Sequence, residues 1–136
     1  MRRLHLTAGT VVFLAFLITG QFMRHHSPPM LTLSDSVRLM FRSRHIYILA
    51  AALVNLMLGL YLQQHSHGWR RAVQTIGSAF VIASPALLIL AFAIEPQRGF
   101  QKEMHASATG LYTLFLGCFA HLISGPVTGS APNSRK

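Results

Sequence analysis

Eight histidines stand in a chain of 136 residues beside three acids and a single cysteine. Imidazole carries protons near neutral pH and ligates haem iron through an uncharged ring nitrogen, so the placement of these side chains along the apolar runs comes first. His5, His65, His67 and His121 fall at one end of those runs, and His25, His26, His45 and His105 at the other. Axial haem ligands must come from different helices at one depth, which leaves His45 with His105, or His5 with His121. His105 and His121 lie about 24 Å apart along one helix and cannot share an iron. A b-type haem is thus an alternative resting on His45, His105 and His121. Neutral imidazoles bonded to neighbours or interfacial water account for the same residues with no cofactor, and none is expected. No metal is expected either, because His25-His26 and His65-x-His67 are loop pairs without the cysteines or acids of a metal site.

A second polar group is basic: Arg38, Arg42 and Arg44 cluster just ahead of an apolar run, on the same side as Glu95 and Glu103. Such arginines pair with those acids and with lipid phosphates, or form an anion site for a lipid headgroup or other anionic ligand. The third group is Asn55, with Ser84 and Thr113. A carboxamide deep in an apolar run needs partners for two donors and a carbonyl. Ser78, Ser84 or Thr113 would supply them between helices; a cavity lined by Asn55, Ser84 and Thr113 is the alternative, and a small-solute or lipid-binding transporter would need one. Enzyme signatures are missing: no glycine-rich phosphate loop, no H-E-x-x-H, no G-x-S-x-G and no paired carboxylates within a span. Cys118 reads as a small apolar side chain, and spans without Asp or Glu argue against a proton-coupled exporter of the small four-span kind.

The elements that position these groups follow from composition. The chain is 51% hydrophobic and 11% charged, against about 25% charged in soluble domains, so most of it cannot face water. One cysteine excludes a disulfide scaffold, and the apolar content excludes a disordered chain. Four spans of about 20 residues fit the length. The net charge of +9 sits in short clusters beside the apolar runs, where each cation gains about 1 kcal/mol from an anionic lipid surface. No cluster interleaves basic and aromatic residues over a longer stretch, so nucleic acid is not expected.

The expected fold is an all-α integral membrane four-helix bundle within one domain, 1–126, with helices at about 4–23, 35–64, 72–94 and 105–124 and a disordered tail, 127–136. The first apolar run lacks a small-residue cleavage site and reads as an uncleaved helix. Pro28-Pro29 separate it from the second helix, for which Ser34 is the expected N-cap and Asp35 a favourable first-turn acid. That second helix is either preceded by an amphipathic juxtamembrane helix hinged at Ser43 or continuous with it. Trp69-Arg70-Arg71 marks an interface, Pro85 should bend the third helix, and Glu95-Pro96 should end it. Pro85 leaves the Val81 carbonyl without its helical donor, a gap that Ser84 or a neighbouring helix can fill. Small residues mark helix contacts in lipid, so the stripes Ala106, Gly110, Thr113, Gly117, His121, Ser124 and Ala51, Asn55, Gly59, with Gln63 beyond, should face inward. Lys and Arg are tied at six on each side, and Arg2-Arg3 beside the first span tips both termini to the cytoplasm.

The segments Thr19-Gly20-Gln21-Phe22-Met23, Phe41-Arg42-Ser43-Arg44-His45-Ile46-Tyr47, Leu53-x-Asn55-Leu56-x-Leu58-Gly59 and Glu95-Pro96 resemble a group of small four-helix inner-membrane proteins of Gram-negative bacteria. That resemblance implies a multi-pass protein of the bacterial inner membrane and transfers no activity. A histidine just before the first span, with four or so spans, is also similar to haem-associated membrane proteins of the copper-resistance and protoporphyrinogen-oxidase type. The expected function is a non-enzymatic membrane or accessory component with lipids as partners, either self-associating or part of a membrane complex. A b-type haem or quinone redox protein and a small-solute or lipid-binding transporter are the alternatives.

Overall fold

Four apolar runs separated by proline, glycine and charge become four helices. The computed structural model describes residues 1–64, 68–98 and 105–125. They form α1 (Arg2–Arg24), a short 3-10 turn at Met30–Thr32, α2 (Asp35–Tyr61), α3 (Trp69–Arg98) and α4 (His105–Ser124). All four α-helices are long and apolar enough to cross a membrane, and the protein is an all-α four-helix bundle of the multi-pass kind. The disordered tail expected at 127–136, together with His65, His67 and Glu103, lies outside the described residues.

Several boundaries differ from the sequence reading, each for a local reason. α2 runs unbroken through Ser43, whose hydroxyl bonds back to the Met40 carbonyl at 3.1 Å and accepts from Arg44. It ends at Tyr61 rather than 64. Ser34 occupies the N-cap position of α2, but its hydroxyl meets Ser36 at 3.2 Å instead of capping a helix N–H. α3 passes through Pro96 to Arg98; a proline removes one donor and disfavours helical backbone at the preceding residue, and here that residue, Glu95, is buried and anchored by two partners.

Neighbouring helices run antiparallel. Leu6 meets Gly59, Gly9 meets Leu56 and Thr19 meets His45, which sets α1 against α2. Gly77 meets Gly117, Leu88 meets Gly110 and Glu95 meets Ser107, which sets α3 against α4. The two hairpins dock chiefly through α2 and α3, linked by Arg44 to Glu95, Asn55 to Val81 and Gln74 to the Gln63 carbonyl. Between them lies an apolar layer of Ile48, Ala51, Ala52, Val81, Leu88 and Ala91, all fully buried. Leu, Ile and Phe side chains such as Leu14, Ile18, Leu53, Phe115 and Leu122 face outward, as expected of a lipid-facing surface.

The inward face of α4 is rotated slightly from the expected stripe. Ser107, Gly110, Leu114, Gly117 and Ser124 are buried, while Thr113 turns its hydroxyl to the Thr109 carbonyl of its own helix. In α2 the stripe Ala51, Asn55, Gly59 is buried and Gln63 is exposed. The hairpins close at glycine. A Cβ on Gly117 would sit 2.6 Å from Val81 Cγ2 and 2.8 Å from the Gly77 carbonyl oxygen, so helix backbones touch there, as small residues allow in lipid.

Gly117→Ala should therefore destabilise the protein by about 1–3 kcal/mol, the usual cost of overpacking. Gly20→Ala, whose new methyl would meet only the edge of the His45 ring at 3.3 Å, should cost less. Unfolding midpoints in one detergent measure both, and equal midpoints for wild type and Gly117→Ala would contradict the backbone contact.

Candidate functional site

The main polar site begins with a proline. Pro85 has no N–H, so the Val81 carbonyl one turn earlier lacks its helical donor. Two side chains fill that place: Ser84 Oγ donates to it at 3.2 Å and Asn55 Nδ2 at 3.1 Å. Asn55 Nδ2 also donates to the Ala51 carbonyl at 2.9 Å. Both donors of the carboxamide point at carbonyls, which fixes Oδ1 as the atom facing His5 Nδ1 at 3.0 Å.

The protons along the rest of the chain follow. His5 Nδ1 must donate to Asn55, so in neutral His5 the Nε2 atom carries only a lone pair. It accepts from the Ser78 hydroxyl at 2.9 Å. The Ser78 oxygen is then free to accept from His121 Nε2 at 3.2 Å. Each helix contributes one member: His5 from α1, Asn55 from α2, Ser78 from α3 and His121 from α4. His5, Asn55 and Ser78 are fully buried. The chain stops at His121 Nδ1, a buried lone pair with no hydrogen-bond partner among the described residues. His121 also borders a hollow of about 280 Å³ with Met57, Tyr61, Leu62, Gln63 and Gln74.

A second cluster lies towards the other end of the bundle. Arg44 Nε donates to Glu95 Oε2 at 2.9 Å, with both side chains buried. Glu95 Oε1 accepts the backbone N–H of Ser107 at 2.8 Å. One carboxylate thus neutralises an arginine of α2 and occupies an N–H in the first turn of α4, where the helix dipole favours negative charge. Leaving either charge unpaired in such a site costs about 3–5 kcal/mol.

Of the haem candidates, His45 belongs to the α1–α2 seam. Thr19 gives its proton to the Phe16 carbonyl, so His45 Nδ1 donates to Thr19 Oγ1 at 2.9 Å, and the ring stacks on Phe16 with centroids 4.1 Å apart. His105 is exposed at the start of α4 and borders a hollow with Glu95 and Arg98. The structure places His45 and His105 on different hairpins. It brings His5 and His121 together, ring centroids 6.0 Å apart, but the Ser78 hydroxyl bridges them and Gly77 and Gly117 close the helices nearby. A haem macrocycle does not fit between them in this packing.

Asn55, Ser84 and Thr113 do not converge on one cavity: the first two turn to Val81 and the third to Thr109. Arg38 pairs with Asp35, Arg42 is exposed, and Arg44 is turned inward to Glu95. Sequence reasoning used Arg2 only as a topology marker and missed that it donates to the Gly59 and Leu60 carbonyls at 3.3 and 2.7 Å and so caps the end of α2. The position of Arg2 beside a span was readable; its partner on another helix was not. Comparisons with protein-family models, curated proteins and solved structures found no match.

Glu95→Ala should destabilise the protein by about 3–5 kcal/mol by stranding Arg44, and the double change Arg44→Met with Glu95→Leu should recover most of that loss. Ser78→Ala leaves two imidazole nitrogens without partners and should cost about 1–3 kcal/mol. Chemical or detergent unfolding curves of the three variants check both statements. A double variant no more stable than Glu95→Ala would contradict the pairing.

Proposed function

We propose that this chain is a non-enzymatic component of the bacterial inner membrane, with both termini in the cytoplasm and lipids as its main partners. One observation carries the reading: the principal buried polar side chains of all four helices are directed at one another or at backbone carbonyls. His5, Asn55, Ser78 and Ser84 are bonded within the bundle, and Arg44 is paired with Glu95. Catalysis or solute passage needs polar groups converging on a cavity. Here they join helices. Lys and Arg are evenly divided between the two ends, and the pair Arg2-Arg3 directly beside the first span tips the termini to the cytoplasm.

A second reading has its own observation. The unpartnered His121 Nδ1 beside a hollow of about 280 Å³ favours a small amphiphile with a hydroxyl donor, such as a reduced quinone. Purification in mild detergent, followed by absorbance, metal analysis and lipid mass spectrometry on one sample, tests both. The first reading expects a colourless protein without stoichiometric iron, and reporters fused to the two ends both active in the cytoplasm. A Soret band, or a co-purifying hydroxyl-bearing amphiphile lost on His121→Phe, would overturn it.

A further inference from the structure

Three arginines meet around an apolar hollow at the end of the bundle away from the termini. Arg24 comes from the last turn of α1, and Arg38 and Arg42 stand one turn apart near the start of α2. Met23, Met30 and Phe41 line the same hollow, which measures about 270 Å³. Helix length sets its depth. α2 has 27 residues, about 40 Å at 1.5 Å per residue, against a hydrocarbon layer of about 30 Å. The surplus of about two turns holds Arg38 and reaches Arg42 at the level of lipid headgroups, while the methionines and Phe41 face where acyl chains begin.

The charges around the hollow are Arg24, Arg38, Arg42 and one acid, Asp35, which pairs with Arg38 and is itself exposed. Arg24 and Arg42 have no ion-pair partner among the described residues. The local balance is therefore two positive charges. His26 beside the hollow is held by the Pro28 carbonyl and packs on Phe41. We propose that this hollow binds an anionic phospholipid, its phosphate against Arg24 and Arg42 and its upper acyl chains over Met23, Met30 and Phe41. Two positive charges fit a diphosphatidyl lipid better than a lipid with one phosphate. A soluble acidic partner would leave the apolar floor unused. The arginine set differs from the one the sequence offered: Arg44 faces Glu95, and Arg24 from the preceding helix takes its place.

The assignment deepens the reading of the chain as a lipid-partnered membrane component and names the lipid. Native mass spectrometry of the full chain in mild non-ionic detergent, with phosphatidylcholine, phosphatidylglycerol and diphosphatidylglycerol added at equal concentration, tests it. Retention should rise in that order. At about 1 kcal/mol per arginine near an anionic surface and 1.4 kcal/mol per tenfold, Arg24→Gln with Arg42→Gln should weaken anionic-lipid binding about thirty-fold. Arg70→Gln with Arg71→Gln, at the other end, should leave it unchanged. Equal retention of all three lipids by the wild type overturns the site without recourse to a variant. So does undiminished binding by the Arg24/Arg42 variant, an equal loss in the Arg70/Arg71 variant, or displacement of the lipid by inorganic phosphate at the same concentration. Failure here leaves the non-enzymatic reading standing, whereas a Soret band ends that reading and leaves the lipid result intact.

Discussion

The Val81 carbonyl, deprived of its helical donor by Pro85, is the constraint around which the bundle is organised. An unpaired carbonyl in hydrocarbon costs several kcal/mol, and Ser84 supplies only part of its needs from within α3. Asn55 supplies the rest from α2. Once its amide nitrogen is committed to Val81 and Ala51, its oxygen can only accept, which dictates the proton on His5, then the direction of the Ser78 hydroxyl, then the proton on His121. A single missing N–H in α3 thus sets the hydrogen-bond polarity of side chains on all four helices.

Hydrocarbon makes that polarity matter. Lipid tails are as apolar as leucine, so helices associate through close packing and interhelical hydrogen bonds rather than through hydrophobic burial. Within each hairpin backbones touch at Gly59 and Gly117, and hydrogen bonds such as Thr19–His45 and Ser78–His121 join the same helix pairs. Between the hairpins it is polar at both ends and apolar in the middle, with the Asn55 group towards one end and Arg44–Glu95 towards the other. The two devices differ in what they specify. Glycine contacts permit many rotations, whereas an ion pair that also holds the first turn of α4 admits one register.

Fold class was legible because it rests on totals: apolar content, run length and the cations that punctuate the runs. The need of the Val81 carbonyl was legible too, since a proline names its own orphan four residues earlier. Partners across helices were not. Asn55 was expected to meet Ser78, Ser84 or Thr113 and instead bonds Val81 and His5, because helix rotation is set by packing that no single run encodes. Thr113 illustrates the point: it lies on a small-residue stripe, yet its hydroxyl is satisfied by Thr109 within its own turn, and Leu114 takes the buried place. The same limit hid the direction of Arg44. Three arginines within one helix look equivalent as letters, but only Arg44 lies on the side where α3 presents Glu95.

The hydrogen-bond chain also has an end, and that bears on what it can do. A proton entering at His121 can pass through Ser78 to His5, since each has a lone pair on one side and a proton on the other. It can go no further, because Asn55 Oδ1 is an amide oxygen and the Asn55 N–H groups terminate on main-chain carbonyls. From Asn55 to Arg44 along α2 is about 16 Å at 1.5 Å per residue, and that interval is filled by Ile48, Ala51, Ala52 and Leu88, all fully buried. A conducting path needs donors or water at each step of such a distance. The two polar clusters are therefore separate anchors on either side of a buried apolar layer, one holding side chains of all four helices and the other tying α2 to α3 and to the first turn of α4.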